Sequence, residues 1–174
     1  MFRLKFNHSK TIDIQYLSVS GQQLILDQSI FKGFFSANIV AILNCFFWSL
    51  LSLSFSKVFP WFSVLIGFFV GFAIQRFGRG LDWRFPLMAG TLAWVYAYFG
   101  NLIISILETA IYIDADFFEV LIGISTDTIK NFFRFTLSPI DHIYALVSAA
   151  LAAFFSNRRL NRQEFFSLRT IEFG

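Results

Sequence analysis

Gly71-Phe-Ala-Ile-Gln-Arg-Phe-Gly-Arg-Gly-Leu-Asp-Trp-Arg-Phe-Pro86 is the stretch whose reading decides the fold. An apolar run enters it and another leaves it, with Arg76, Arg79 and Arg84 between them. This pattern predicts a short hairpin joining two membrane-spanning helices, with the guanidinium groups held on the cytoplasmic side. Gly78 and Gly80 are expected to provide positive φ in a tight turn.

The composition agrees. Only 14% of the 174 residues are charged and 56% are hydrophobic, whereas a soluble domain carries about 25% charged residues. The 26 phenylalanines exceed what a soluble core of this size would hide, and lipid holds such side chains readily. Cys45 is the single cysteine, which excludes an internal disulfide and a multi-cysteine metal site. Residues 1–30 hold Arg3, Lys5, Lys10, Asp13 and Asp27 and no apolar h-region. No signal peptide is expected, so the first span would drive insertion.

Four spans are predicted on either side of the hairpin, over residues 34–55, 60–76, 85–107 and 139–156. The second is short for a hydrocarbon core of about 30 Å, so either Arg76 snorkels or the helix continues toward Gly78. Small residues recur every four positions: Ala37, Ala41, Cys45 and Ser49; Ala89, Ala93 and Ala97; Ala145, Ala149 and Ala153. The second span holds the G-x-x-x-G pair Gly67 and Gly71. In lipid, close approach of small faces draws helices together. The expected fold is an all-α integral membrane protein, a four-helix transmembrane bundle with phenylalanines facing lipid or filling gaps.

Around this bundle, residues 115–136 mix Phe, Ile and Val with Asp127, Lys130 and Arg134. They predict an amphipathic helix in the outer interface. Residues 1–30 form a short cytoplasmic segment. Alternation in Phe2–Phe6, Ile12–Tyr16 and Leu24–Leu26 predicts short β-strands with a turn at Ser20-Gly21; a surface arm is the alternative. Residues 158–174 form a basic cytoplasmic tail. With four spans, Arg3, Lys5, Lys10, Lys32, Arg76, Arg79, Arg84, Arg158, Arg159, Arg162 and Arg169 lie inside, and Lys57, Lys130 and Arg134 outside. That imbalance favours four spans over three or five, with both termini cytoplasmic.

Residues 71–101 also resemble a group of small uncharacterised bacterial inner-membrane proteins. Their pattern is Gly-aromatic-Ala-aliphatic-Arg-x-Gly-Gly-Lys/Arg-Gly, then a Phe and an apolar helix ending in Gly-Asn. Here it reads Gly71 to Gly80, then Phe85 to Gly100-Asn101. Gln75 stands where the group has Arg, with Arg76 one place later, and Phe77 replaces a Gly. The resemblance implies a bacterial inner membrane and no particular activity.

Several side chains are candidates for function. Arg76, Arg79 and Arg84 would bind anionic lipid head groups or an acidic partner, or merely fix topology. The hairpin lacks the G-x-x-x-x-G-K-S/T spacing of a phosphate loop. Asn38, Asn44 and Asn101 would line a polar path or make interhelical hydrogen bonds. Asp141-His142 suggests a proton-linked pair, although Asp141 suits a helix N-terminus. Asp114, Asp116 and Glu119 would take a divalent cation or form a solvated loop. Cys45 has no nearby base and reads as a packing residue.

The sequence therefore predicts a non-enzymatic inner-membrane subunit or scaffold, without cofactor or metal. Its partners would be the bilayer and another membrane protein or a second copy, and not nucleic acid. A small oligomeric transporter or channel is the alternative, and a lipid-active enzyme using Asp141, His142 and the acidic loop at Asp114, Asp116 and Glu119 ranks below both.

Overall fold

The computed structural model describes residues 20–172. Among the described residues all regular structure is helical. In chain order the elements are α1 (residues 20–26), α2 (Ile30–Phe55), α3 (Phe62–Ala73), α4 (Arg84–Ile113), α5 (Phe117–Gly123), α6 (Thr126–Asn131), α7 (Pro139–Ser156) and α8 (Arg162–Glu172). α3 runs on into a π-turn at Ile74–Gly78, and α6 into another at Phe132–Thr136. By length and composition α2, α4 and α7 are able to cross a membrane, and α3 with its π-turn is a shorter apolar helix.

Local chemistry sets the helix ends. Ser29 caps α2 by accepting the Lys32 N–H at 3.3 Å. α2 stops at Ser56, which turns left-handed at φ 50°, and Pro60 starts the next segment. α4 ends on Asp114 at φ 54°. Ser138 caps α7, and Asp141 accepts the Ser138 N–H at 2.8 Å, completing a capping box around Pro139. This reciprocal arrangement satisfies two otherwise unpaired donors.

α3 and α4 lie against each other; α2 packs on both, and α7 packs on both. The contacts run along small residues. Ala37, Ala41, Cys45 and Ser49 on α2 are buried, as are Ala89, Ala93 and Ala97 on α4. A Cβ added at Gly67 would stand 2.1 Å from the Ser148 carbonyl oxygen, and one at Gly71 would stand 2.7 Å from that of Ala152. The G-x-x-x-G pair thus brings α3 into backbone contact with α7. α7 itself departs from the expected stripe. Ala145, Ser148, Ala152 and Ser156 are its buried residues, while Ala149 and Ala153 are partly exposed and face Gly90 of α4. Because α7 sits between two helices, it needs a small face toward each.

At the end away from the hairpin, the buried Trp48 ring lies on Gly100 and stacks on Phe62, with centroids 5.8 Å apart at 17°. Such an aromatic pair adds about 0.5–1.5 kcal/mol beyond burial. Phenylalanines line the outside, Phe35, Phe46, Phe47, Phe55 and Phe72 among them.

Three expectations are corrected. Residues 20–26 are helical, with no turn at Ser20-Gly21 and no strand at Leu24–Leu26. Gly21 and Leu24, three apart, are buried together while Leu26 is 83% exposed, so helical spacing prevails over alternation. The other predicted strands, Phe2–Phe6 and Ile12–Tyr16, lie outside the described residues. α4 continues past Glu108 to Ile113. Residues 115–136 are two short helices, because Ser125 accepts the Thr128 N–H and starts α6 afresh. The tail contains α8, for which the sequence reading predicts no secondary structure.

Gly67→Ala is expected to destabilise the protein by about 1–3 kcal/mol through overpacking. At Gly90 a Cβ would meet the nearest carbonyl at 3.3 Å; Gly90→Ala should be close to neutral, because alanine recovers roughly 0.5–1 kcal/mol of helix propensity. Thermal unfolding of both variants in mild detergent compares them, and equal melting temperatures would refute the close α3–α7 contact.

Candidate functional site

The hairpin end joins three separate parts of the chain. The π-turn after α3 inserts an extra residue into the helical ladder, a device frequent at functional positions. It leaves Ile74 and Gly78 buried while Arg76 and Phe77 face outward. The Gly78 carbonyl then accepts the Ser29 N–H at 2.9 Å, and the Gly80 carbonyl accepts the Arg158 N–H at 2.9 Å. The Gln75 Nε2 donates to the Asn157 carbonyl at 2.9 Å, and the Leu81 N–H to Gln28 Oε1 at 3.1 Å. The segments entering α2 and leaving α7 are thus fastened to one hairpin by backbone groups.

The hairpin glycines work differently from the sequence expectation. No glycine among the described residues has positive φ; Arg79 takes the left-handed position at φ 49°. Gly78 is needed for approach, since a Cβ there would lie 3.0 Å from the Phe85 ring and 3.2 Å from the Gly33 Cα. Gly80 lies under the same ring, and an added Cβ would meet it at 2.0 Å. The left-handed turn can fall on Arg79 because its side chain points to water and pairs with Asp27 at 3.1 Å.

Of the three predicted arginines, Arg79 is therefore engaged with Asp27, while Arg76 and Arg84 are exposed and make no ion pair among the described residues. Arg84 opens α4, where the positive helix end disfavours a cation, so an anion there would meet a favourable field. Sequence reasoning missed Arg158. Its Nη2 holds Glu164 Oε1 at 2.6 Å, and Glu164 Oε2 accepts the Asn161 N–H at 2.8 Å. Asn161 Oδ1 in turn accepts the Arg162 N–H at 2.7 Å. The N-x-x-E spacing at Asn161 and Glu164, a capping-box pattern, was the available signal for α8.

The asparagines do not converge. The Asn38 Oδ1 accepts the Tyr96 hydroxyl at 2.8 Å and so ties α2 to α4. The amides of Asn44 and Asn101 donate to Val40 and Ala97 of their own helices, at 2.8 and 3.1 Å. Neither makes an interhelical hydrogen bond among the described residues. Asp141 closes the α7 capping box, and His142 Nδ1 is hydrogen-bonded to Tyr98 Oη at 2.7 Å. Asp114 ends α4, Asp116 precedes α5 and Glu119 lies in its first turn. Among the described residues no three His, Cys, Asp or Glu side chains group to hold a metal ion. Cys45 is buried, its Sγ 3.6 Å from the Tyr96 carbonyl. Comparison with protein-family models, curated proteins and solved structures gives no match.

Glu164→Gln removes the charge that fixes Arg158, a bond class that contributes about 1.5–3 kcal/mol. Backbone hydrogen exchange over residues 162–169 is expected to quicken about tenfold. Asp27→Asn breaks a pair exposed by about half and should cost only about 0.2–1 kcal/mol. Equal effects of the two substitutions on α8 exchange would contradict the proposed Arg158–Glu164 anchor.

Proposed function

We propose that this chain is a multi-pass protein of a bacterial inner membrane that acts as a non-enzymatic small subunit or scaffold. In this reading α2, α3 with its π-turn, α4 and α7 are four spans of one bundle. The hairpin and both ends of the chain are cytoplasmic, and α5 and α6 lie in the opposite interface. The likeness of residues 71–101 to small inner-membrane proteins is in keeping with it.

The observation that carries the proposal is the closed interior. α3 touches α7 at Gly67 and Gly71, and Trp48 covers Gly100. The buried polar side chains among the described residues are serines, whereas ionisable groups within a membrane usually mark a transport route. Asn44 and Asn101 turn their amides back into their own helices, which speaks against a shared polar path. Arg76 and Arg84 on the hairpin rim would meet anionic head groups, an interaction of about 1 kcal/mol per basic residue at the surface.

Reporter fusions at Arg79 and Arg159 are expected to report the cytoplasm, and a fusion at Asp127 the opposite side. Cross-linking in intact membranes should recover one constant membrane protein or a second copy. Purified protein in sealed vesicles should conduct no more than empty vesicles. Solute flux through the wild type that disappears in Asn101→Leu would replace the scaffold reading with transport.

A further inference from the structure

Two grooves meet on the side of the molecule where α4, α7 and the second π-turn come together. The larger, about 530 Å³, is lined by Trp94, Val95, Phe99, Leu102 and Phe133, with Tyr98 and His142 in its wall. The smaller, about 340 Å³, shares Leu102 and continues past it toward Ser105, Asn131 and Thr136. None of these last three uses its side chain in a hydrogen bond among the described residues. Along α4 the lining thus gains polar groups: past the Tyr98–His142 pair, Ser105, Asn131 and Thr136 join aliphatic and aromatic walls that include Ile106, Val120 and Phe135.

We propose that this continuous surface binds one phospholipid of the leaflet opposite the hairpin, an inference that rests on the membrane reading above. The polarity gradient is that of the ligand. An acyl chain fits between Trp94 and Leu102, a run of about 12 Å at 1.5 Å per residue. One leaflet of a hydrocarbon core about 30 Å thick has a similar depth. The ester and phosphate oxygens then reach the Ser105, Asn131 and Thr136 side chains, which offer donors to acceptor oxygens, while the Tyr98–His142 pair lies beside the chain. Trp94 and Tyr98, packed edge to face at 5.2 Å, form a rigid wall for the chain. By contrast, Ile42 on α2 lies among Ile39, Leu43 and Phe46, all exposed and apolar.

The test uses full-length protein in two ways. A phospholipid with a photoreactive acyl chain is added to wild-type protein in nanodiscs, and the adducts are mapped. They are expected to concentrate in residues 94–102 and at Phe133. Adducts spread evenly over the exposed phenylalanines of α2 and α3 would overturn the proposal. Independently, phospholipid retained after detergent washing is counted by native mass spectrometry. Val95→Trp, which fills the groove, should lower occupancy about tenfold, equivalent to about 1.4 kcal/mol, while Ile42→Trp should retain the wild-type amount. Equal retention in both variants would also overturn it. Release of the wild-type chain from membranes by alkaline carbonate would instead defeat the membrane reading itself; firm insertion with even labelling defeats only the lipid site.

Discussion

Backbone contact between α3 and α7 is the constraint on which the rest of the structure depends. Gly67 and Gly71 stand against the carbonyls of Ser148 and Ala152 with no room for a side chain. Among apolar helices in an apolar solvent there is little to gain by hiding hydrophobic surface, so attraction comes from many atoms in close register. Once two helices approach this closely, their neighbours must be small as well. α7 therefore carries Ser148 and Ala152 toward α3, and Ala149 and Ala153 toward Gly90. α2 brings Ala37, Ala41 and Cys45 to the same interior. Most of the described phenylalanines face outward, while Trp48, Phe62 and Phe85 fill the interior beside the small residues.

The two ends close by different chemistry. At the hairpin end the chain is fastened through main-chain groups of Gly78 and Gly80 and through the Gln75 and Gln28 side chains, and the glycines there matter for the space they leave. Gly78 and Gly80 make room for Gly33 and the Phe85 ring, while Arg79 bears the left-handed turn. Charged side chains remain on the rim, available to water or head groups. At the other end a large ring, Trp48, fills the space that Gly100 leaves. A short α7 beside a much longer α4 leaves a flank that α5, α6 and their π-turn partly cover. The grooves follow from that difference in helix length.

The proposed structural role in a membrane rests in part on how the polar side chains are used. The Asn44 and Asn101 amides are spent inside single helices, and Asn38 fixes α2 on α4 through Tyr96. Arg76, Arg79, Arg84 and Arg158 gather where the connecting segments meet. The amphipathic α8 is joined to that assembly through Arg158 and Glu164.

The sequence by itself determined the long apolar helices, the hairpin between α3 and α4, and the small residues at which helices meet. Each is a short-range pattern in one segment, written in hydropathy and four-residue spacing. What only the tertiary structure decided is which face of α7 meets which neighbour, that Arg79 rather than a glycine turns left-handed, and that Asn44 and Asn101 bond within their own helices. It also decided that Arg158 anchors α8 and that Tyr98 meets His142. These outcomes depend on the distance between helix axes and on which carbonyl lies nearest a given donor. Neither quantity is carried by the spacing of residues along one strand of sequence.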